Sequence, residues 1–210
     1  MSSKLYVVEG PVEKATNLSN LLEYELKNSS IPSLVINPFK HSVLASMMTD
    51  MHLSHNTFLL ENGNDFTSAD AILIIDIRIA FVFNAVMSKV LPALAAGYTV
   101  VLNTFIDNLI ADNSQTLKAT EYIVKKWQDH LESIIGFPED FTIIYCTPQK
   151  EDISDTIDEV HYHDYLESVK LHANSKLIEL NTEDLIQTQL VIDTVLGRVS
   201  TPKKFKLVAV

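Results

Sequence analysis

The sequence predicts an α/β protein in which helices cover both faces of a mainly parallel five-stranded sheet, a three-layer α/β/α arrangement. Short apolar, β-branched runs alternate along the chain with helix-like stretches of ten or more residues. These runs are apolar throughout, which is typical of parallel strands buried on both faces. Glycine or proline closes several of the elements, as at Gly10, Pro38, Gly97 and Gly136.

Five apolar runs are expected to be strands. The first stops at Gly10-Pro11, the second is closed by Pro38, and the third and fourth are apolar runs. The predicted strands are 4–9, 34–37, 98–102, 141–146 and 177–180. Because ligands of such folds bind at the carboxyl ends of the strands, the loops that follow them should line any pocket.

The helices follow from apolar spacing and from capping residues. Leucines at helical spacing mark the first helix, Ser42 is a candidate N-cap for the second, and Thr67 or Ser68 caps the long third helix. The predicted helices are 16–27, 43–55, 67–96, 116–135, 158–172 and 183–196. Gly97, Gly136 and Gly197 are expected to end three of them.

Composition predicts one domain over residues 1–210, since 210 residues with 47% apolar side chains can bury one substantial core. A net charge of −11 disfavours binding to nucleic acid or to an anionic membrane, and the lysines near 203–206 are too few to offset it. Cys146 is the only cysteine, so an intramolecular disulfide is excluded. With no apparent signal peptide, the expected location is the cytoplasm.

The stretch 71–96 is apolar enough to raise the question of a membrane span, but Asp76, Arg78, Asn84 and Lys89 interrupt it. We therefore predict a buried helix. Residues 71–90 are apolar on nearly every face, which predicts a homodimer through this helix. Burial beneath the C-terminal helices is the alternative.

Three segments of the first half resemble the thymidylate kinase family. The run 5–11, LYVVEGP, is similar to the family's strand that ends in Glu-Gly and enters the phosphate-binding loop. The run 90–111 matches the spacing of the family's helix end, third strand and aspartate-arginine-tyrosine segment, and 37–42, NPFKHS, resembles its proline-containing loop. The resemblance covers roughly the first 115 residues. It implies the P-loop nucleotide-kinase type of α/β fold.

The phosphate loop that the resemblance implies is degenerate. A working loop follows G-x-x-x-x-G-K-[ST], where the lysine reaches the terminal phosphates and the hydroxyl holds Mg²⁺. Counted from Gly10, the second glycine is Ala15, the lysine is Thr16 and the hydroxyl is Asn17. Lys14 lies two residues early, where its side chain should point elsewhere. The degenerate loop comprises Gly10, Pro11, Lys14, Thr16 and Asn17.

The acceptor side of the implied site has also lost its charges. Asn103 and Thr104 stand at the family's aspartate-arginine pair, Phe105 at its tyrosine, and Val82 at the arginine of the preceding helix. The groups that remain form a candidate acceptor-nucleotide site of Lys40, Asn84, Asn103, Phe105 and Asp107. Lys40 either holds a nucleotide phosphate there or is an ordinary surface lysine.

Other chemistry lacks a signature. The pairs His52/His55 and His161/His163 have no third ligand at a known spacing, so no metal site is predicted. No G-x-S-x-G elbow occurs, and Cys146 is expected to be a core residue. The chain has two arginines, Arg78 and Arg198, and an acidic segment replaces the family's arginine-bearing lid.

The leading hypothesis is a catalytically inactive thymidylate-kinase-like protein that acts as a dimeric scaffold or regulatory partner, connected with dTTP biosynthesis, and that retains affinity for a nucleoside monophosphate. No residue is assigned a catalytic role. One alternative is an active dTMP kinase with relocated groups (Lys14, Lys40 and Asp107), which would use ATP and Mg²⁺. The other is a sensor or sequestering protein for thymidine nucleotides.

Overall fold

A parallel sheet of five strands forms the centre of the molecule. The computed structural model describes residues 3–39, 68–105, 134, 138, 141–147 and 176–199. The strands are β1 (Lys4–Glu9), β2 (Ser33–Ile36), β3 (Thr99–Asn103), β4 (Thr142–Cys146) and β5 (Lys176–Leu180). They are all parallel and lie in the spatial order β2-β3-β1-β4-β5. The predicted α/β class and parallel five-stranded sheet are confirmed.

The described helices connect or follow these strands. They are α1 (Val12–Asn28), α2 (Ser68–Ala85), a π-helical turn (Val86–Val90), α3 (Leu91–Ala95) and α4 (Leu185–Val195). The predicted helices 43–55 and 158–172 lie outside the described residues. Of the predicted helix 116–135 only Ile134 is described, and it lies in a bend rather than a helix.

Alternation along β1 divides the core between the two faces of the sheet. Leu5 and Val7 belong to a buried cluster with α2, whereas Tyr6 and Val8 belong to a second cluster with α1 and α4. Successive side chains of a strand point to opposite faces, so α1 and α4 cover one face and α2 covers the other. The three-layer arrangement follows from these two clusters.

The long apolar helix is interrupted rather than continuous. Leu91 donates its N–H to the carbonyl of Val86, five residues earlier, which is the π-helical register. Pro92 follows directly and has no N–H to give to a carbonyl one turn earlier, so the regular ladder cannot pass through it. Gly97, at φ +84°, then turns the chain into β3.

The same helix was the candidate membrane span. Residues 76–95 have the length to cross a bilayer and a mean hydropathy of 1.5. In this structure Ile79, Val82, Val86 and Val90 are buried at helical spacing in the cluster that covers the sheet. This packing agrees with the predicted buried helix, and length and composition alone are weak evidence for a span.

The strand register brings three chain segments to one edge. Val8 of β1 pairs with Asn103 of β3, and Glu9 pairs with Tyr145 of β4. The residues that follow these strands therefore meet at the carboxyl edge of the sheet, the usual place of ligands in α/β folds. Helix α2 follows β2 and leads to β3, so it runs from this edge towards the opposite one.

Candidate functional site

The turn after β1 consists of Gly10 and Pro11 alone. Gly10 has φ +111°, a conformation that residues with a side chain rarely adopt. A Cβ atom at this position would lie 2.2 Å from the carbonyl oxygen of Cys146, at the end of β4. The turn therefore needs glycine for its backbone angle and for its close approach to the neighbouring strand.

Helix α1 begins at Val12, directly after this turn, and not at residue 16 as the sequence had predicted. Pro11 supplies a fixed φ of −51° at the N-cap, and its carbonyl accepts the N–H of Ala15 at 2.9 Å. The predicted start was wrong because residues 12–15 were assigned to a phosphate loop. They form the first turn of the helix instead, so Ala15 donates within the helix.

Thr16 and Asn103 contact each other at the centre of this edge. The side-chain amide of Asn103 donates to the hydroxyl of Thr16 at 3.3 Å, and Asn103 is buried at the end of β3. In the thymidylate kinase family, which the sequence resembles, these two positions carry a lysine and an aspartate. Here a neutral hydrogen bond joins them, and neither group supplies charge to a phosphate or a metal ion.

Lys14, in the first turn of α1, reaches the end of β4 with its side chain. Its ammonium donates to the carbonyl of Thr147 at 3.4 Å, and Thr147 in turn donates its N–H to Leu180 of β5 at 2.8 Å. Burial raises the pKa of the nearby Cys146 thiol to about 12, an effect that the positive charge of Lys14 partly offsets. Cys146 is fully buried, which confirms it as a core residue and leaves it little thiolate.

Glu9 is a buried carboxylate that the sequence reasoning treated only as the end of a strand. Its Oε1 accepts the N–H of Phe105 at 2.9 Å, 96 residues further along the chain. Between them, Thr104 adopts φ +82° and donates its N–H to the carbonyl of Val8 at 3.0 Å. A β-branched residue at positive φ is strained, and these two hydrogen bonds hold it in place. The signal that could have identified this carboxylate in the sequence is a charged residue at the end of an apolar run.

The three predicted acceptor residues that the structure describes lie in different surroundings. Phe105 is fully buried and packs edge-on against Phe141, with ring centroids 6.0 Å apart. Asn84 lies on the exposed side of α2, where Ser88 donates to its backbone carbonyl at 2.6 Å. Asn103 is at the edge, as described. Lys40 and Asp107 lie outside the described residues.

Asn17 and Val82 also have defined positions. Asn17 is exposed on α1, and Val82 is fully buried on the side of α2 that packs against the sheet. Over the part of the chain that the structure describes, no group of three metal-ligating side chains is found. The four histidines named above are outside those residues.

A cation that the sequence comparison passed over lies at the edge near β2. The guanidinium of Arg78 stands over the ring of Phe39, 5.9 Å from its centroid. Phe39 follows the end of β2, and its N–H donates to the side-chain oxygen of Asn37 at 2.9 Å. Arg78 lies one helical turn before Val82 on the same helix.

No protein-family model matches this chain, and no curated protein sequence matches it. The thymidylate kinase resemblance therefore rests on the three sequence segments that carry it.

Replacing Gly10 by alanine should destabilise the fold more than the same change at Gly97. Both glycines have positive φ, and holding alanine there costs about 1–3 kcal/mol. Only at Gly10 would the new Cβ also collide with a backbone oxygen, whereas at Gly97 no atom of the described residues, its chain neighbours aside, lies within 4 Å. Denaturant unfolding of the two variants measures the difference in free energy of unfolding. Equal losses would contradict the close contact with Cys146.

Proposed function

We propose that this chain is a thymidylate-kinase-like protein that does not transfer phosphoryl groups and that serves as a dimeric scaffold or regulatory partner. The observation that carries the proposal is the start of α1 at Val12, with the N–H of Ala15 bonded to the carbonyl of Pro11 at 2.9 Å. A phosphate-binding loop needs an open run of backbone N–H groups between its two glycine positions. Here that run is a helical turn.

The loss of charge at the same place supports the proposal. Phosphoryl transfer is accelerated mainly by positioning and by cations that stabilise the charge on the transferred oxygens. The resemblance implies a phosphate-donor side and a phosphate-acceptor side at this edge. Between them the structure has the hydrogen bond of two neutral side chains, Thr16 and Asn103. Removing one such stabilising donor commonly lowers kcat about 10²–10³-fold, so the combined losses should leave little catalysis.

The alternative of an active kinase with relocated groups depends on Lys14. Its ammonium donates to the carbonyl of Thr147 at 3.4 Å, on the β4 side of the edge. If the Lys14 side chain turned towards a phosphate, the hydrogen bond that joins α1 to the end of β4 would be lost. The contact therefore favours a structural role for Lys14.

The full chain, assayed with ATP, Mg²⁺ and dTMP, should form no dTDP above a protein-free control. Kinases typically turn over at about 1–100 s⁻¹, so even a severely weakened enzyme would be detected. Turnover in that range would contradict the proposal. Lys14→Ala would then be compared with Lys27→Ala, which removes an exposed lysine paired with Glu23. Loss of turnover in the first variant alone would establish the relocated-kinase alternative.

The dimer is the second part of the proposal. Between residues 76 and 95 the exposed residues of the long helix are Ala80, Asn84, Met87, Ser88, Pro92 and Ala95, and Met87 is 54% exposed. An exposed methionine on an otherwise small-residue face suits contact with a second copy, because its flexible side chain adapts to a partner surface. The described side chains of this face are less apolar than the sequence alone had suggested.

Sedimentation of the purified chain should reveal a dimer that Met87→Glu weakens, because the substitution buries a charge in the proposed interface. Tyr24→Glu is the matched control, since Tyr24 is 62% exposed on α1, on the other face of the sheet. A monomer at every concentration would contradict the proposed dimer. Equal weakening by both variants would contradict its location.

A further inference from the structure

The start of α4 carries the two most exposed large apolar side chains of the described residues. Leu185 is 79% exposed and Ile186 is 81% exposed, and they are adjacent in the first turn of the helix. Single exposed apolar side chains are ordinary on a protein surface, but adjacent ones form a patch that a partner can cover. Helix α4 follows β5, so this patch lies at the carboxyl edge of the sheet.

The patch lies on the outer side of α4. The buried side chains of this helix are those of Val191, Ile192, Thr194 and Val195. At 3.6 residues per turn, Ile186 and Asp193 lie on the opposite side of the helix, and Leu190, which is half-buried, lies beside them. The outer side of a surface helix is ordinarily polar. In α4 it is apolar in the first turn, and the polar pair of Gln189 and Asp193, hydrogen-bonded at 3.2 Å, follows only later.

Acidic residues border this patch. Glu183 and Asp184 come directly before Leu185, and Glu183 is exposed. Asp184 caps the helix by accepting the N–H groups of Ile186 and Gln187 at 3.0 and 3.1 Å, which holds its carboxylate at the start of the helix. A complementary occupant therefore has apolar side chains with basic residues next to them.

Residues 203–208, KKFKLV, have this composition. Lys203, Lys204 and Lys206 are three of the 16 basic residues of the chain, and they surround Phe205. A lysine keeps its ammonium in water while its aliphatic stem covers apolar surface, so such a segment suits an apolar patch with an acidic border. The segment and the patch are thus complementary in both charge and hydrophobicity.

The segment can reach the patch of its own chain. Arg198 donates to Asp193 and to Ser29 at 3.2 Å each, which holds the chain at the C-terminal end of α4. From there, residues 200–205 can span about 20 Å, whereas Ile186 lies about 14 Å from the end of α4 along the helix axis. A link this short keeps the segment at an effective concentration of about a millimolar next to α4, which favours the same chain over a second copy.

We propose that residues 203–208 bind to α4 of the same chain and cover the patch formed by Leu185 and Ile186. Phe205 supplies the apolar contact, and the lysines lie beside the acidic border at the start of the helix. Bound in this way, the segment keeps the patch from other proteins, so a partner that binds there must displace it. This contact is independent of the proposed function.

Tryptic cleavage of the full chain tests the contact. Trypsin cuts after lysine, so a bound segment should be cut slowly after Lys203, Lys204 and Lys206, as followed by mass spectrometry. Ile186→Ser should raise the rate of these cuts at least about fivefold, because it removes apolar contact area and cleavage follows the unbound population. Leu34→Ser is the matched control and should leave the rate unchanged, since Leu34 is 38% exposed on β2, at the opposite edge of the sheet from β5.

A spin label identifies which copy of the chain is bound. A nitroxide attached through Ala209→Cys in the full chain should broaden the backbone amide signals of Leu185 and Ile186, and should leave that of Leu34 sharp. The native Cys146 is fully buried, and burial raises the pKa of its thiol to about 12, so it should stay unlabelled. In an equal mixture of spin-labelled chain and ¹⁵N-enriched chain without the label, the same signals should stay sharp.

Several outcomes would overturn this proposal. Equal cleavage rates in wild type and Ile186→Ser, with circular dichroism showing that the variant is folded, would do so, as would amide signals of Leu185 and Ile186 that stay sharp in the labelled chain. Broadening in the mixed sample would place the segment on a second copy and overturn the contact within one chain. Faster cleavage of Leu34→Ser as well, with both variants folded, would contradict the location of the contact on α4.

Discussion

The close approach of Gly10 to the end of β4 determines the geometry of the whole carboxyl edge. A Cβ at this residue would lie 2.2 Å from the carbonyl oxygen of Cys146, so the chain leaves β1 in a turn of two residues. Pro11 then starts α1 immediately. With the helix so close, Lys14 reaches the carbonyl of Thr147 and Thr16 reaches the amide of Asn103. The space that a longer loop would wrap around a phosphate is occupied by the first helical turn.

Charge at this edge is sparse and mostly committed to structure. Glu9 holds the strained Thr104 segment through the N–H of Phe105, and Lys14 joins α1 to β4. Arg78, on α2, contacts the ring of Phe39 near the end of β2. Stabilisation of a phosphoryl group in transfer needs several cations at once, and the described residues of this edge do not supply them.

The strands and the last helix were predictable because local signals define them. Each strand lies within one or two residues of its apolar run, and Asp184 caps α4 by accepting the N–H groups of Ile186 and Gln187. The start of α1 was not predicted, because the family pattern suggested a loop where Pro11 in fact begins a helix. Glu13, Lys14 and Ala15 are residues that favour a helix, and the family pattern had assigned them to a loop.

The site was less predictable because it depends on contacts between distant residues. Glu9 and Phe105 meet only through the parallel pairing of β1 with β3, and Arg78 meets Phe39 only once α2 is laid on the sheet. The position of Asn84 could not be predicted for the same reason. Burial of Val82 and Val86 determines which side of α2 faces the sheet, and Asn84 lies on the other side. Spacing along the sequence gives the helix but not the side that faces the sheet.

The most direct test is an NMR titration of the full chain with millimolar Mg²⁺·ATP, above typical KM values of enzymes. It would follow the backbone amide signals of Gly10 and residues 12–16. If residues 12–15 are the first turn of α1, as the bond from Ala15 to Pro11 indicates, these signals should not shift. Saturable shifts confined to them would show a nucleotide phosphate bound at this turn and would contradict the account.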